Sequence, residues 1–344
     1  MFFTYFGYFV AALLLSVILT LAVRKIAIAL RIFDIPDDQR KTHKTPVPLL
    51  GGIAVYVSFW LVVLYLLMHP IYGIDIFKTK LIGVFIASSI LIIMGLVDDV
   101  KQLSAKIRLA ITAVAALVAI LFGIGLEKVT NPLGGGIINL GNFFILAEIL
   151  IFFWLMGMMY TTKILDGLDG LVGGIATIGA FMILFLTNTA KYFQPNVGLL
   201  SAVFAGACLG FLFFNFYPAK IFLGEGGSLF MGFILGILAI IGGGKFATAL
   251  LVMAIPILDL IRVMAVRVRK KHSIFKGDRE HLHFRLVDAG FSQRQAVILL
   301  YSVATIFGIT TLFLQSRQKL MALAFLVLLM VIINIWLVKK ENPL

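Results

Sequence analysis

The sequence predicts an all-α integral membrane protein with about eleven transmembrane helices. Of its 344 residues, 61% are hydrophobic and only 13% are charged, which is far more apolar than a soluble domain. The hydrophobic residues fall in runs of roughly 20, the length that an α-helix needs to cross a hydrocarbon core of about 30 Å. Only short polar segments separate the runs, so residues 1–344 are expected to form a single transmembrane domain.

Eleven apolar runs follow one another along the chain. They lie near residues 2–23, 49–69, 81–97, 108–126, 143–162, 171–188, 197–214, 227–243, 247–266, 295–314 and 320–338. Between the fourth and fifth runs, turn residues surround a short alternating piece in 131–142, which predicts a small external hairpin. Because an odd number of spans places the two termini on opposite sides of the membrane, the positions of the basic residues decide the orientation.

The basic residues strongly favour one side. Loops on the side of the C-terminus hold 22 of the 29 Lys and Arg residues. The other seven are Lys78, Lys80, Lys128, Lys191, Lys245, Arg317 and Lys319. The positive-inside rule therefore predicts that the N-terminus lies outside the cell and the C-terminus in the cytoplasm. The net charge of +13 belongs to loops beside the membrane, which favours anionic headgroups and phosphorylated small molecules as partners over nucleic acid.

Thirteen of the sixteen acidic residues fall on or near the same cytoplasmic side. The loops expected to build a site there lie near 24–48, 98–108, 163–170, 215–227 and 267–294. A proton or ion pathway would instead place ionisable residues at mid-membrane depth on several helices. The acidic residues therefore indicate an active site at the cytoplasmic surface of the membrane.

Two of these carboxylates follow the fifth run, in the segment Ile164-Leu-Asp166-Gly-Leu-Asp169-Gly170. On a helix, their spacing would place them on one face with about 5 to 6 Å between Cβ atoms. A solvated helix end followed by a turn would explain such a pair in a soluble protein. Beside a membrane, with few other charges nearby, the pair is typical of a cation site or an acid/base pair.

A second pair of carboxylates, Asp98 and Asp99, ends the third run. Adjacent like charges repel each other, and a metal ion, a cationic partner or partial protonation would relieve that repulsion. Arg108 begins the next run, close enough to pair with them or to hold a phosphate. The alternative is an ordinary polar helix end at the membrane surface.

Glycines surround a further carboxylate in Gly224-Glu225-Gly-Gly-Ser228, just before the eighth run. Glycines let a ligand approach the backbone, and the start of a helix offers N–H donors to an anion. A plain glycine turn is the alternative. In the first cytoplasmic loop, Lys44 is a candidate phosphate contact or a positive-inside anchor.

The longest cytoplasmic segment contains Asp278-Arg-Glu-His281-Leu-His283-Phe-Arg285. Histidine near neutral pH can donate to phosphate, act as a base or bind a metal. Two histidines without a cysteine argue against a zinc site. An anchor on the positive side would need only Lys and Arg, so these histidines indicate a function.

Taken in order, these motifs resemble those of the polyprenyl-phosphate N-acetylhexosamine-1-phosphate transferases (glycosyltransferase family 4), which start bacterial cell-envelope glycans. The resemblance covers nearly the whole chain, through Asp34-Ile-Pro-Asp37 with Arg40-Lys-Thr-His43 and Gly51-Gly52, Asp98-Asp99 with Leu103-Ser104, Asp166-Gly-Leu-Asp169-Gly170, Asn215 with Pro218-Ala-Lys-Ile-Phe222, Gly224-Glu-Gly-Gly-Ser228, Pro256 with Asp259 and Arg262, and Asp278-Arg-Glu-His281-Leu-His283. Eleven spans and an outside N-terminus suit the undecaprenyl-phosphate N-acetylglucosamine-1-phosphate transferase branch better than the ten-span phospho-MurNAc-pentapeptide translocase branch.

The resemblance implies that an N-acetylhexosamine-1-phosphate, most often that of N-acetylglucosamine, passes from a UDP-sugar to undecaprenyl phosphate with release of UMP. It implies Mg²⁺ as cofactor, with Mn²⁺ as a substitute, and the bacterial cytoplasmic membrane as location. The family also suggests a homodimer. The expected metal ligands are Asp166 and Glu225, and the expected catalytic residues are Asp98, Asp99 and Asp169. The expected substrate contacts are Lys44, Arg108, His281, His283 and Arg285.

Four positions depart from the family pattern. Glu225 stands where the family usually has Asp, and Lys163 stands where it commonly has Asn. Phe284 replaces the last histidine of a His-x-His-His run, and Gln102 replaces an occasional Asp. These departures leave the reaction class unchanged and leave the sugar donor open.

Other functions share some of these features. A phospho-MurNAc-pentapeptide translocase would use the same motifs with a different donor. A CDP-alcohol phosphotransferase also has Asp-x-x-Asp-Gly, but should continue with Ala-Arg and two more spaced aspartates, whereas Leu171-Val-Gly-Gly174 follows here. A transporter of phosphorylated or lipid-linked substrates would need paired repeats and broken mid-membrane helices, whereas the glycines here cluster at the cytoplasmic ends.

Overall fold

The computed structural model describes residues 1–36, 45–126, 128–130, 137–139, 144–242, 246–270 and 279–341. Within these ranges the chain forms thirteen α-helices, which confirms the all-α prediction. They are α1 Phe2–Ala29, α2 Gly51–Met68, α3 Lys78–Lys101, α4 Ala105–Leu121, α5 Phe144–Leu165, α6 Leu171–Thr187, α7 Pro195–Asn215, α8 Glu225–Ile241, α9 Phe246–Val252, α10 Ala254–Arg269, α11 Leu282–Asp288, α12 Gln293–Phe313 and α13 Ser316–Glu341.

The remaining regular elements are short. Strands β1 (Phe33–Asp34) and β2 (Val47–Pro48) pair antiparallel and close the first predicted cytoplasmic loop. Strands β3 (Lys128–Thr130) and β4 (Ile137–Asn139) form the hairpin predicted between the fourth and fifth runs. Two 3-10 helices, Ile74–Phe77 and Ala190–Tyr192, complete the described elements.

Every one of the eleven predicted apolar runs falls on helix. Among the described residues, seven helices are long and apolar enough to cross a membrane, or eight if the bent pair α9–α10 counts as one span. Helices α6 and α8 are apolar but shorter. The chain is therefore a polytopic membrane protein, while the count of eleven spans and the orientation of the termini stay predictions.

The prediction of one continuous helix is wrong for one of the eleven runs. The run 247–266 is divided into α9 and α10, which meet at an angle of 75°. Pro256 has no N–H to donate to the carbonyl of Val252, and its ring would clash with that carbonyl, so the α9 helix cannot continue. The hydrogen-bond ladder resumes where the Ile257 N–H donates to Met253 O at 2.9 Å.

Helices α6, α7 and α8 form the buried centre of the protein. Helix α7 packs against α1 and α6, and α8 packs against α3 and α5. Small residues allow the closest of these approaches, because a Cβ added to Gly206 or Gly210 of α7 would collide with α1 carbonyls. The hydroxyl of Ser16 on α1 donates to Ala207 O at 2.7 Å across the same contact.

Glycine contacts also hold three helix ends together where the carboxylate motifs lie. A Cβ on Gly52 of α2 would fall on the Gly227 backbone of α8, and one on Gly95 of α3 would fall on Gly226. The Gly52 N–H donates to Leu223 O at 2.8 Å. The start of α8, which carries Glu225, is thereby held against the end of α3.

Candidate active site

Five predicted carboxylates meet where α3 and α5 end and α8 begins. This carboxylate cluster consists of Asp98, Asp99, Asp166, Asp169 and Glu225. Asp99 contacts Glu225 directly, since Asp99 Oδ1 accepts the Glu225 N–H at 3.1 Å. Asp166 lies within electrostatic reach of Glu225, Asp99 and Asp169. Asp34 on β1, which was not predicted as a site residue, also lies within electrostatic reach of Asp99 and Asp166.

Asp98 is buried and holds Arg108 in place. Its Oδ1 accepts the Leu103 N–H at 2.7 Å, and Arg108 Nη1 donates to both carboxylate oxygens at 3.1 and 3.3 Å. The Arg108 Nε atom is buried without a hydrogen-bond partner and lies 4.0 Å from Glu225 Oε1. Asp98 thus holds Arg108 in place, and the Arg108 Nε–H stays available to an acceptor such as a phosphate oxygen. The catalytic role expected for Asp98 stays a prediction.

Asp99 caps the start of α8. Because the first N–H groups of a helix have no partner within it, a carboxylate there is stabilising. The preceding Gly224 has φ +77°, and a Cβ at this position would fall on Asp99 Oδ2. Glycine is therefore required at 224 to place Glu225 beside Asp99.

Two cations approach the carboxylate of Glu225. Lys163 Nζ donates to Glu225 Oε1, and Arg108 Nε approaches the same oxygen from α4. Lys163 was not among the predicted site residues, although its position before the central motif indicated another cation near the diphosphate. The only signal for it in the sequence was its departure from the family's Asn.

Asp166 differs from Glu225 because no described side chain donates to it. Asp166 is exposed as a residue, although the protein packed around its carboxyl group desolvates that group. Burial among these neighbours raises the pKa of its carboxyl well above the usual range, and the negative charges of Glu225 and Asp99 raise it further. A cation at this position would relieve that accumulation of negative charge.

Asp169 organises the loop between α7 and α8. Its Oδ2 accepts the Ala219 N–H at 2.9 Å. Nearby, Asn215 Oδ1 accepts the Gly170 N–H at 3.1 Å, and Tyr301 donates to Gly170 O at 2.5 Å. The motif that carries Asp166 is thereby tied to α7 and to α12.

His281, the first of the two predicted histidines, is held by a buried carboxylate that the sequence did not single out for this role. Asp259 Oδ2 contacts His281 Nδ1 at 2.8 Å and accepts the Leu282 N–H at 3.0 Å. Arg262 donates to Asp259 Oδ1 at 2.8 Å and also to the backbone of Glu280. Asp259 thus positions the start of α11.

His283 lies against the central carboxylate motif. A Cβ on Gly167 would come within 2.6 Å of His283 Nε2, and this buried nitrogen has no hydrogen-bond partner among the described residues. Burial lowers the pKa of His283 to about 3. The side chain is therefore neutral at physiological pH, and its Nε2 can donate or accept a hydrogen bond depending on the tautomer.

Two predicted substrate contacts remain, Arg285 and Lys44. Arg285 is buried and donates to Asn334 Oδ1 of α13 at 2.7 Å, which ties α11 to the C-terminal helix. Its predicted substrate contact stays a prediction. Lys44 lies outside the described residues.

Comparison with known proteins connects this arrangement to a family. The model of glycosyl transferase family 4 matches residues 81–243. The probable undecaprenyl-phosphate N-acetylglucosaminyl 1-phosphate transferase of Bacillus subtilis (strain 168) is 31% identical over 95% of this chain and 89% of that protein. The chain belongs to glycosyl transferase family 4.

Two further relatives extend the family 4 assignment. The decaprenyl-phosphate N-acetylglucosaminephosphotransferase of Mycolicibacterium smegmatis is 29% identical over 89% of this chain and 82% of its own length. The undecaprenyl-phosphate alpha-N-acetylglucosaminyl 1-phosphate transferase of Escherichia coli (strain K12) is 30% identical over 82% of this chain and 76% of its own length. The segment that matches the family 4 model contains the whole carboxylate cluster, which confirms the resemblance seen in the motifs.

The donor set of this family 4 protein fits Mg²⁺. Its oxygens are hard carboxylate ligands, which suit Mg²⁺. Among the described residues, no group of three or more His, Cys, Asp or Glu side chains is arranged to hold a metal ion. Mg²⁺ is usually held by one or two carboxylates together with water and substrate phosphates, so an open pair such as Asp166 and Glu225 is sufficient.

Proposed function

We propose that the protein transfers N-acetylglucosamine-1-phosphate from UDP-N-acetylglucosamine to undecaprenyl phosphate. An oxygen of the lipid phosphate attacks the phosphorus that bears the sugar. The bond from that phosphorus to the bridging oxygen breaks, and UMP leaves with this oxygen. The products are UMP and the undecaprenyl-diphospho-sugar that initiates a cell-envelope glycan. The names of the relatives support this reaction.

The observation that carries the proposal is a carboxylate cluster with two cations at the ends of apolar helices. Bringing one phosphate to another requires positive charge. Arg108 and Lys163 would contact phosphate oxygens, and Asp166 with Glu225 would hold the metal. When bound, Mg²⁺ supplies positive charge that offsets the negative charge of the diphosphate.

Asp99 would orient the lipid phosphate and take its remaining proton. A strong base is unnecessary, since the second pKa of a phosphate monoester is about 6. Asp98 acts through Arg108, and Asp169 acts by holding the loop before Glu225. The neutral His283 and the Asp259-bound His281 would contact the nucleotide sugar.

A small apolar cavity lies beside the site, with Ile175, Val252 and Leu300 in its apolar wall and Asp259 and His283 on its polar side. Its volume of about 20 Å³ is too small for a prenyl chain. The lipid tail would instead lie in a groove between helices that faces the bilayer.

The proposed setting is the cytoplasmic membrane of a bacterium, with eleven spans and the carboxylate cluster facing the cytoplasm. Nucleotide sugars are cytoplasmic, and the excess of Lys and Arg on this side supports the same orientation. The homodimer that the family suggests stays a prediction.

The test is UMP release by the purified, detergent-solubilised protein. Undecaprenyl phosphate and Mg²⁺ are supplied with UDP-N-acetylglucosamine, UDP-N-acetylgalactosamine or UDP-MurNAc-pentapeptide. We expect UMP only with UDP-N-acetylglucosamine, and only when lipid and Mg²⁺ are both present. EDTA should abolish the reaction, and excess Mg²⁺ or Mn²⁺ should restore it. No UMP with any donor, from protein shown to be folded, would contradict the proposal.

A further inference from the structure

Lys163 and Glu225 form an ion pair inside the carboxylate cluster. Lys163 lies in the last turn of α5, three residues before Asp166, and its ammonium donates to Glu225 Oε1 at the start of α8. The side chains are 22% and 15% exposed, so neither is sealed from water. The ion pair therefore joins two packed helices at a position that a solute can reach.

Within the carboxylate cluster, cations neutralise Glu225 more than they neutralise Asp166. Lys163 and Arg108 approach Glu225, and Arg108 also bonds to Asp98. Asp166 receives no described side-chain donor, although Asp99 and Glu225 are within electrostatic reach. Lys163 thus neutralises one of the two carboxylates that the proposed metal site needs.

Such a pair can exchange partners at low cost. Ion pairs that water reaches contribute little to stability, because water and salt compete for both groups. Lysine carries its charge on a flexible four-carbon stem with three donors, so its ammonium can move from a carboxylate to a phosphate without moving the helix. Lys163 Nζ also lies over the Tyr160 ring, 5.5 Å from its centroid, and the face of that ring attracts the ammonium.

We infer that Lys163 is a further residue of the active site that competes with the divalent ion for Glu225. Without substrate, its ammonium holds the Glu225 carboxylate. When the nucleotide sugar binds, the ammonium passes to the diphosphate and Glu225 becomes available to the metal. This inference rests on the proposed function, and it makes metal binding and nucleotide binding mutually reinforcing.

The test measures Mn²⁺ binding in the absence of nucleotide. The EPR signal of free Mn²⁺ serves as the readout. The variant Lys163→Met removes the charge and keeps most of the stem. We expect it to bind Mn²⁺ about tenfold more tightly than the wild type, since a competing unit charge a few ångströms away is lost. Lys106→Met is the matched control, because Lys106 is exposed on α4 and makes none of these contacts. It should match the wild type.

A second readout follows the ammonium to the nucleotide. At saturating Mg²⁺, Lys163→Met should raise the KM for UDP-N-acetylglucosamine about tenfold and change kcat less. Lys163→Arg, which keeps the charge, should recover much of this loss. A melting temperature like that of the wild type shows that each variant is folded, and Lys163→Gln replaces Lys163→Met if the latter fails this check.

The outcomes separate this inference from the proposed function. Suppose that the wild type binds Mn²⁺ and that folded Lys163→Met binds it equally well or more weakly. This result would overturn the inference alone, and Lys163 would then be a structural support for Glu225. Absence of Mn²⁺ binding in every variant would overturn the proposed metal site and the inference with it. Binding detected in Lys163→Met but not in the wild type would support both.

Discussion

At the scale of single residues, Asp166 has a carboxyl group that Glu225 and Asp99 repel and to which no described side chain donates, so a bound cation would stabilise its charged form. Asp166→Asn should reduce UMP release by at least about 100-fold, the usual loss when a preorganised charge is removed from a reacting centre. The melting temperature should not fall, because no described side chain donates to this carboxyl and its repulsion with Glu225 and Asp99 disappears. Near-normal turnover would remove Asp166 from the metal site.

Glu225 and Lys163 are expected to behave as a coupled pair. Glu225→Asp shortens the side chain by one methylene and moves its carboxylate away from the proposed metal, so we expect kcat to fall about tenfold. Adding Lys163→Asn should restore part of that loss, since contacting residues commonly couple by about 0.5 to 3 kcal/mol. The measurement is kcat at saturating nucleotide sugar for the wild type, both single variants and the double variant. Additive effects would show that the two side chains act independently.

At the scale of elements, the start of α8 depends on a glycine. Gly224 has φ +77°, and a Cβ there would meet Asp99 Oδ2, so Gly224→Ala should displace Glu225 and abolish most activity. We expect destabilisation of about 1 to 3 kcal/mol, seen as a lower melting temperature. Gly157→Ala on α5 is the matched control, because an added Cβ there meets nothing within 4 Å. Equal effects of the two changes would refute this role of Gly224.

Helix α11 should respond to acid through His283. Burial lowers its pKa to about 3, below the ordinary value of 6.5, so the unfolded chain binds a proton that the folded protein rejects. Stability is then fully present above pH 6.5 and falls by about 1.4 kcal/mol for each pH unit below it, down to about pH 3. Asp259, His281 and Arg279 act on the same group. His283→Asn should flatten the melting temperature between pH 7 and pH 5, and an unchanged slope would contradict this account.

At the scale of the whole molecule, the sequence predicted the features that depend only on residues close together along the chain, such as the helices. Apolar runs located the helices, since a span needs only length and hydrophobicity. The break at Met253 was missed because one proline in an apolar run does not reveal which way the chain turns. The Lys163–Glu225 pair and the Arg285–Asn334 bond were missed because they join distant segments. Motif order placed the carboxylates in one site, but only packing shows that Asp98 bonds to Arg108.

The orientation of the protein decides whether the carboxylate cluster can meet a cytoplasmic donor. Lys101 at the end of α3 and Ala190 before α7 are both exposed, and they lie on opposite sides in the predicted topology. The chain's single cysteine, Cys208, is buried in α7, so it should give little background labelling. Each position can therefore be replaced by cysteine and probed with a membrane-impermeant maleimide.

In intact cells we expect Ala190→Cys to react and Lys101→Cys to stay unlabelled until the membrane is opened. The physical reason is the excess of Lys and Arg in the loops on the Lys101 side, which resist transfer across the membrane. Both variants should release UMP like the wild type, which shows that the labelled protein is folded. Labelling of Lys101→Cys in intact cells would place the carboxylate cluster outside the cell, where cytoplasmic UDP-sugars cannot reach it.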